Sequence, residues 1–280
     1  MAEAAAEERQ IHAARGGGGM SGAVSSRTVP INGRPCRIWE KGSGGALYWL
    51  HSSPLSLNWS PCHEALAARG RLAALSLPGF GGSEGHDAID TQLDWCLAAR
   101  DLLIAAGYRP GDILVGSSTA GAIAADIAAL WPDFVTRLVL IAPFGLYDEQ
   151  EPTRDMFAVQ GKEAPTLFCN TPEAYTRQLA VPDGEEPTGW SIIVNRAQEA
   201  AARILWPFGD TRLSRRLHRI TASTLLIWGD GDRVVPASYA DRFIAGMKAS
   251  TATTIIAGGG HLVELDKPED IAGAIFAFAR

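Results

Sequence analysis

The sequence has few cysteines, no long apolar run and no excess of positive charge. Its four cysteines, at positions 36, 62, 96 and 169, are far apart and form no C-x-x-C pair, which argues against a disulfide framework or a zinc site. No stretch approaches the roughly 18 apolar residues of a membrane helix, and the first residues lack the apolar core of a signal peptide. A net charge of −6 argues against nucleic-acid binding. We therefore expect a cytoplasmic protein without a metal, a cofactor, or a membrane or nucleic-acid partner.

Short apolar runs alternate with helix-like segments over most of the 280 residues. This alternation predicts an α/β fold, with a mostly parallel sheet joined by crossover helices. The expected strands are 36–40, 46–51, 72–77, 112–116, 137–142, 223–228 and 253–257. The expected helices that flank the sheet are 91–106, 120–130, 238–247 and 268–279.

Residues 144–220 interrupt this alternation. They contain no run that would extend the sheet, and they hold amphipathic pieces at 171–179, 190–205 and 211–220. We therefore expect a mostly helical insertion at 144–220 within a core formed by residues 27–143 and 221–280. The Ala/Glu-rich start and the glycines at 16–19 predict a flexible segment at 1–26, with Met20 as an alternative start.

A serine lies where a predicted strand runs directly into a predicted helix. A sharp turn at such a junction lifts the hydroxyl above the sheet, and it needs small residues two positions before and two positions after the serine. Ser118 has Gly116 and Ala120 there, whereas Ser117 would have two β-branched residues. The pattern predicts Ser118 as a nucleophile, and capping of the helix by the two serines is the alternative.

A nucleophilic serine needs a base, and the base needs a carboxylate that orients it. His261 follows three glycines after the last predicted strand, where the loop can bend back towards Ser118. Asp230 and Asp232 both follow the strand at 223–228. Because Asp is common in tight Gly-Asp-Gly turns for local reasons, we assign the acid to Asp232 and keep Asp230 as the alternative. The chain order Ser118, Asp232, His261, each after a strand, matches the Ser…Asp…His order of one fold class.

Acyl transfer also needs backbone N–H groups that stabilise the oxyanion. Thr119 follows the nucleophile at a helix N-terminus, where the helix dipole favours negative charge. The second donor is expected in the loop His51-Ser-Ser-Pro-Leu-Ser56, with Ser53 as the candidate. A plain strand-to-helix connection is the alternative for this loop.

Taken together, these motifs resemble the α/β-hydrolase superfamily from about Arg27 onward. The segments that carry the resemblance are 50–54 (H-G-x-P), 77–83 (L-P-G-x-G-x-S), 115–121 (nucleophile elbow), 227–232 (acid turn) and 260–268 (histidine segment). The resemblance implies the α/β-hydrolase fold with a helical cap at 144–220. Ser52 and Ala120 each replace a glycine of these motifs. Ser118 argues against epoxide hydrolases and haloalkane dehalogenases, which carry Asp at the elbow.

In that resemblance the cap would cover the active site and line the substrate pocket. The candidates for substrate contact are Phe144, Trp190, Arg196 and Trp206. The alternative for the aromatic residues is a small core of the cap itself. For the arginines at 212, 215, 216 and 219, we expect a solvated face of an amphipathic helix at 211–220.

Three functions are compatible with these residues. The first is a hydrolase of small apolar or aromatic carboxylic esters, in which water resolves an acyl-enzyme. The second is a C–C bond hydrolase of the meta-cleavage-product type, with Arg196 on a substrate carboxylate. It is weakened because Leu262 replaces the aromatic residue typical of that group after the histidine. The third is a ligand receptor on the same fold. We expect a small molecule as the partner, and a homodimer is compatible with the sequence.

Overall fold

One twisted sheet organises the protein. The computed structural model describes residues 22–53, 58–159, 161–206 and 209–280. In these ranges eight strands pair in the order β1-β2-β4-β3-β5-β6-β7-β8. The strands are β1 (Ser25–Ile31), β2 (Arg34–Lys41), β3 (Ala46–His51), β4 (Arg71–Ser76), β5 (Ile113–Ser117), β6 (Arg137–Ile141), β7 (Ser223–Gly229) and β8 (Thr251–Ile256). The pairs β1–β2 and β2–β4 are antiparallel and the others are parallel, which confirms the predicted fold class.

Helices cover both faces of the sheet, with α2 and α3 on one face and α1 and α9 on the other. The helices of the described ranges are α1 (Pro61–Ala67), α2 (Gln92–Ala105), α3 (Ser118–Leu130), α4 (Ala164–Phe168), α5 (Pro172–Gln178), α6 (Pro187–Leu205), α7 (Tyr239–Gly246), α8 (Val263–Asp266) and α9 (Pro268–Phe278). Alternate residues of β6 fall into two different cores: Leu138 packs with α2 and α3, whereas Val139 packs with α1 and α9. Burial on both faces explains why the central strands read as continuous apolar runs.

The helix that follows β5 is buried on all sides. Every residue of α3 from Ser118 to Ala129 is buried, as its almost wholly apolar sequence predicts. The helix ends at Leu130, two residues before Pro132, because proline disfavours helical backbone in the residue before it. The nucleophile candidate therefore stands at the first turn of a helix that cannot easily shift.

Among the described strands and α-helices, β1, α1, α4 and α8 were not predicted from the sequence. Strand β1 is mostly exposed and polar, so it carries no apolar run, and α1 has only seven residues. β1 begins at Ser25, so the last two residues of the segment expected to be flexible are in a strand. Residues 1–21, including Met20, lie outside the described residues.

The segment between β6 and β7 contains α4, α5 and α6, and its described residues add no strand to the sheet. The predicted helix at 211–220 is wrong, because two short 3₁₀ turns at Leu213–Arg215 and Leu217–Arg219 stand in its place. The expected solvated face is wrong for Arg216, which is half-buried, whereas Arg212, Arg215 and Arg219 are exposed. Arg216 pairs with the buried Asp126 at 2.7 Å, and Arg219 donates to the carbonyl of Ala129 at 2.9 Å. Both bonds fix this segment against α3.

Within the described ranges, no helix combines the length and apolar character needed to cross a membrane. The longest, α6, has 19 residues and buries one face only, through Ala197, Ala200, Ala201, Ile204 and Leu205.

Candidate active site

The turn between β5 and α3 has the geometry of a nucleophile elbow. Ser118 has a φ of +54°, a conformation that non-glycine residues rarely adopt. A Cβ atom on Gly116 would lie 2.6 Å from the carbonyl oxygen of Ala120, so this position requires glycine. A Cβ atom on Gly121 would lie 2.7 Å from the Cβ of Pro143, a requirement that the motif alone did not reveal. The strand and the helix approach so closely here that the Ser118 side chain is lifted off the sheet.

Three predicted residues meet at this elbow. Ser118 Oγ lies 2.8 Å from His261 Nε2, and His261 Nδ1 lies 2.9 Å from Asp232 Oδ2. The side chains of Asp232 and His261 are fully buried, and Ser118 is 4% exposed. The geometry is that of a hydrogen-bonded serine, histidine and carboxylate, in which the histidine can receive the hydroxyl proton and the carboxylate can orient the ring.

The two acid candidates separate clearly. Asp232 Oδ1 accepts the backbone N–H groups of Val234 and Val235 at 2.8 and 2.9 Å, which leaves Oδ2 for His261. Asp230 is exposed, and its Oδ1 accepts the N–H of Gly258 at 2.8 Å, which ties together the turns after β7 and β8. The structure thus brings Asp232, and not Asp230, to the histidine.

A carboxylate that sequence reasoning overlooked fixes the histidine loop. Asp266 accepts the N–H of Gly260, directly before His261, and those of Asn170 and Thr171 at the start of α5, each at 2.8 Å. The family motif includes this position, but nothing in the local sequence indicates that its partners lie about 95 residues away. Asp266 therefore joins the base to the segment between β6 and β7.

The two oxyanion candidates lie beside the nucleophile. Ser53, Ser118 and Thr119 line one cavity of about 260 Å³. Thr119 is the second residue of α3, where backbone N–H groups have no partner within the helix. Residues 54–57 of the predicted oxyanion loop lie outside the described residues.

The remaining wall of this cavity is mostly apolar. Its larger apolar and aromatic side chains are Met156, Phe157, Phe168, Tyr175, Leu179 and Leu262, and Gln198 is its one long polar side chain among the described residues. None of the described residues that line it is a Lys, Arg, Asp or Glu. Because a buried charge without a partner is costly, the cavity suits a neutral, apolar group.

The predicted substrate contacts fare differently. Phe144 is buried with its ring 5.5 Å from the ring of His261. Trp190 is also buried, but its Nε1–H donates to the carbonyl of Leu179 at 3.0 Å and the side chain does not line the cavity. Trp206 is 65% exposed, and Arg196 is exposed on α6. None of the four predicted contacts therefore lines the described wall of the cavity at Ser118, although Phe144 packs against His261.

Behind the elbow, Ser117 Oγ donates to Glu264 Oε1 at 2.6 Å. Burial raises the pKa of Glu264 above its ordinary value, because the charged form loses its hydration. Because the Ser117 hydroxyl is bonded to Glu264 and not to His261, its role differs from that of Ser118.

Two histidines also lie close together near the elbow. His51 Nε2 lies 3.1 Å from His63 Nε2, and burial together with His51 lowers the pKa of His63 well below its ordinary range.

Comparison with known proteins agrees with this geometry. A family model described as "Alpha/beta hydrolase family" matches residues 35–274. The chain is 26% identical over 274 residues to a 2-hydroxy-6-oxo-6-(2'-aminophenyl)hexa-2,4-dienoic acid hydrolase of Metapseudomonas resinovorans, covering 91% of both chains. It is 30% identical over 250 residues to a pimeloyl-[acyl-carrier protein] methyl ester esterase of Xanthomonas campestris pv. campestris, covering 85% of this chain and 96% of the relative.

A solved meta-cleavage product hydrolase of Pseudomonas fluorescens IP01 superposes with a TM-score of 0.73, at 18% identity, over 90% of this chain and 96% of that one. At this identity the likeness supports the fold alone. With the mostly parallel sheet, the serine elbow and a family match over most of the length, the chain belongs to the alpha/beta hydrolase family.

Proposed function

We propose that the protein hydrolyses small esters with an apolar or aromatic acyl group, through a serine acyl-enzyme. The observation that carries the proposal is the pair of buried hydrogen bonds that link Ser118 to His261 at 2.8 Å and His261 to Asp232 at 2.9 Å. They lie beside a cavity of about 260 Å³ whose described wall holds no charged side chain. Esterases among its relatives support the same class of reaction.

In the proposed mechanism, Ser118 Oγ attacks the ester carbonyl while its proton passes to His261 Nε2. Asp232 holds the other ring nitrogen and stabilises the imidazolium that forms. The N–H groups of Ser53 and Thr119 stabilise the oxyanion. His261 then gives the proton to the leaving alkoxide, which departs as the alcohol. Water, activated by the same histidine, attacks the acyl-enzyme and releases the acid and free Ser118.

We further propose that residues 144–220 form a cap that sets substrate specificity. Met156, Phe157, Phe168 and Tyr175 of this segment line the same cavity as Ser53 and Ser118 of the core. Because these side chains are apolar or aromatic, they favour an acyl group of the same character.

The competing function is cleavage of a C–C bond in a meta-cleavage product, which the dienoic acid hydrolase relative favours. Such a substrate carries a carboxylate, and the described cavity wall offers no cation to pair with it. Arg196, the expected partner, is exposed on α6. The uncharged wall therefore favours the ester.

A fluorophosphonate probe tests the nucleophile directly. We expect one probe per chain on the wild type and none on Ser118→Ala. The matched control is Ser117→Ala, which removes a neighbouring buried hydroxyl that bonds Glu264 and should still take one probe. Labelling of Ser118→Ala would refute the assignment. A wild type that folds but takes no probe would favour a ligand receptor.

Substrate class is tested by comparing p-nitrophenyl acetate, butyrate and benzoate with a 2-hydroxy-6-oxo-dienoate. The proposal expects kcat/KM to be highest for one of the esters. Faster turnover of the dienoate would support the C–C hydrolase instead.

A further inference from the structure

A second, small cavity lies behind the nucleophile. It has a volume of about 40 Å³, and the described residues that it shares with the apolar cavity are Ser53, Ser118 and Leu262. Its polar wall includes Ser52, Ser117 and Glu264. The proposed mechanism gives this cavity no role.

Two polar atoms at this cavity have no hydrogen-bond partner among the described residues: Glu264 Oε2 and Ser52 Oγ. Both side chains are more than nine-tenths buried, at 8% and 2% exposure. Buried polar atoms in folded proteins are nearly always paired, either with protein or with ordered water. The cavity is larger than the roughly 10–15 Å³ that one water molecule needs. Its size and its lining therefore both fit bound water.

The charge of the wall excludes other small ligands. An anion would face Glu264, and no Lys or Arg lines the cavity among the described residues. A metal ion would find only one carboxylate, and the described residues contain no group of three metal-binding side chains. His63 also lines the cavity, and its lowered pKa keeps its ring neutral. A neutral hydrogen-bonding molecule, namely water, is what remains.

The position of the cavity decides what its water would do. His261 does not line it, so the water is not placed to attack an acyl-enzyme under general base catalysis. Instead, the cavity borders His51, Ser52 and Ser53, where β3 ends and the oxyanion segment begins. Ser52 stands where the family motif has glycine, so its hydroxyl is an addition to that motif.

We propose that water in this cavity bridges Glu264 Oε2 to Ser52 Oγ, and that Glu264 thereby positions the backbone of Ser53 as an oxyanion donor. Glu264 is itself held by Ser117, the residue before the nucleophile. The bridge would fix the oxyanion segment relative to the elbow. This role rests on the proposed esterase function, whereas the water site itself does not.

A double-mutant cycle tests the bridge. The variants are Ser52→Ala, Glu264→Met and the two combined, measured by the second-order rate of fluorophosphonate labelling and by kcat and KM on an aryl ester. Each single change should slow labelling and kcat about tenfold to a hundredfold, with little change in KM. The combined variant should be no slower than the slower single variant, because either change already removes the bridge.

Two further variants serve as rescue and control. Glu264→Gln keeps a hydrogen-bonding group of the same length and should recover most of the rate lost in Glu264→Met. Thr224→Val removes another buried hydroxyl, which lies at the start of β7 whereas the elbow follows the end of the parallel β5, and it should label at the wild-type rate. Additive losses in the cycle, or Glu264→Gln as slow as Glu264→Met, would overturn the positioning role.

A high-resolution crystal structure tests the water itself. We expect an ordered water within hydrogen-bond distance of both Glu264 Oε2 and Ser52 Oγ, and its absence would overturn the site. If Glu264→Met does not fold, Ser52→Ala and Ser52→Gly take its place in the labelling and kinetic measurements, and their crystal structures are searched for the same bridging water. A wild type that takes no probe would refute the esterase proposal and still leave the water site to be decided by the density.

Discussion

Replacing Asp232 by Asn should stop the proposed reaction without unfolding the protein. In the structure, Asp232 Oδ1 accepts the N–H groups of Val234 and Val235. An Asn at this position can keep both bonds only if its own Oδ1 stays there, so its NH₂ group must face His261. The Nδ1 atom of His261 must then accept a hydrogen bond, which moves the ring proton to Nε2. That nitrogen lies 2.8 Å from Ser118 Oγ and could no longer accept its proton.

The size of the effect follows from this tautomer change. Loss of the correct tautomer in a serine triad costs about 10⁴-fold in kcat. At about 1.4 kcal/mol for each factor of ten, this is about 5 kcal/mol of activation free energy. Because the two backbone bonds survive, we expect the unfolding free energy to change by only about 1 kcal/mol.

The measurement is kcat on an aryl ester, with urea unfolding of the same samples. Asp230→Asn is the matched control, because it carries the same chemical change two residues away on an exposed side chain. It should keep at least half of the wild-type kcat. A variant Asp232→Asn with more than about a tenth of the wild-type rate would refute the tautomer argument, as would an equal loss in Asp230→Asn.

Three further predictions concern the framework around the site. Gly116→Ala places a Cβ atom 2.6 Å from the Ala120 oxygen, so it should lower the unfolding free energy by about 1–3 kcal/mol and abolish probe labelling. Arg216→Met leaves Asp126 buried without its cation and should lower the unfolding free energy, measured with urea, by about 3 kcal/mol. Adding Asp126→Asn should restore most of this loss. Equal unfolding free energies for the wild type and Arg216→Met would contradict the prediction. Burial raises the pKa of Glu264, so the stability that its protonated form contributes is complete below its ordinary pKa of 4.5 and is lost as the pH rises towards the folded-state pKa. The wild type should therefore lose stability relative to Glu264→Gln above about pH 4.5. Parallel curves of unfolding free energy against pH for the two proteins would refute the shift.

The sheet and the elbow were predictable because local rules determine them. Continuous apolar runs predicted the five central strands, β3 to β7, within two residues of their observed bounds, since burial on both faces removes polar positions. The partly exposed β2 and β8 were predicted equally closely, from shorter apolar stretches. Ser118 followed from the steric demand for Gly116 before it. His261 and Asp232 followed from glycine-rich turns at the ends of parallel strands, which lie along one edge of a sheet.

The contacts between distant segments were not predictable. Arg216 looked like part of a solvated face, because nothing in its neighbourhood shows that Asp126 is buried 90 residues away. Arg196 looked like a ligand for a carboxylate, because composition does not show which side of α6 faces the cavity. Glu264 carried no local signal, since its partner Ser117 lies 147 residues earlier. Such pairings depend on tertiary packing, which a single sequence does not encode in a readable pattern.

The three hydrogen bonds of Asp266 have a consequence for how the enzyme could change its substrates. They fasten the start of α5 to the residue before His261, so this wall of the cavity moves together with the base. Any widening for a larger acyl group must then come from other lining residues, such as Met156 and Phe157. Substitutions there could alter the range of substrates while the distance for proton transfer stays the same. Evolution of specificity would thus be uncoupled from evolution of the chemistry.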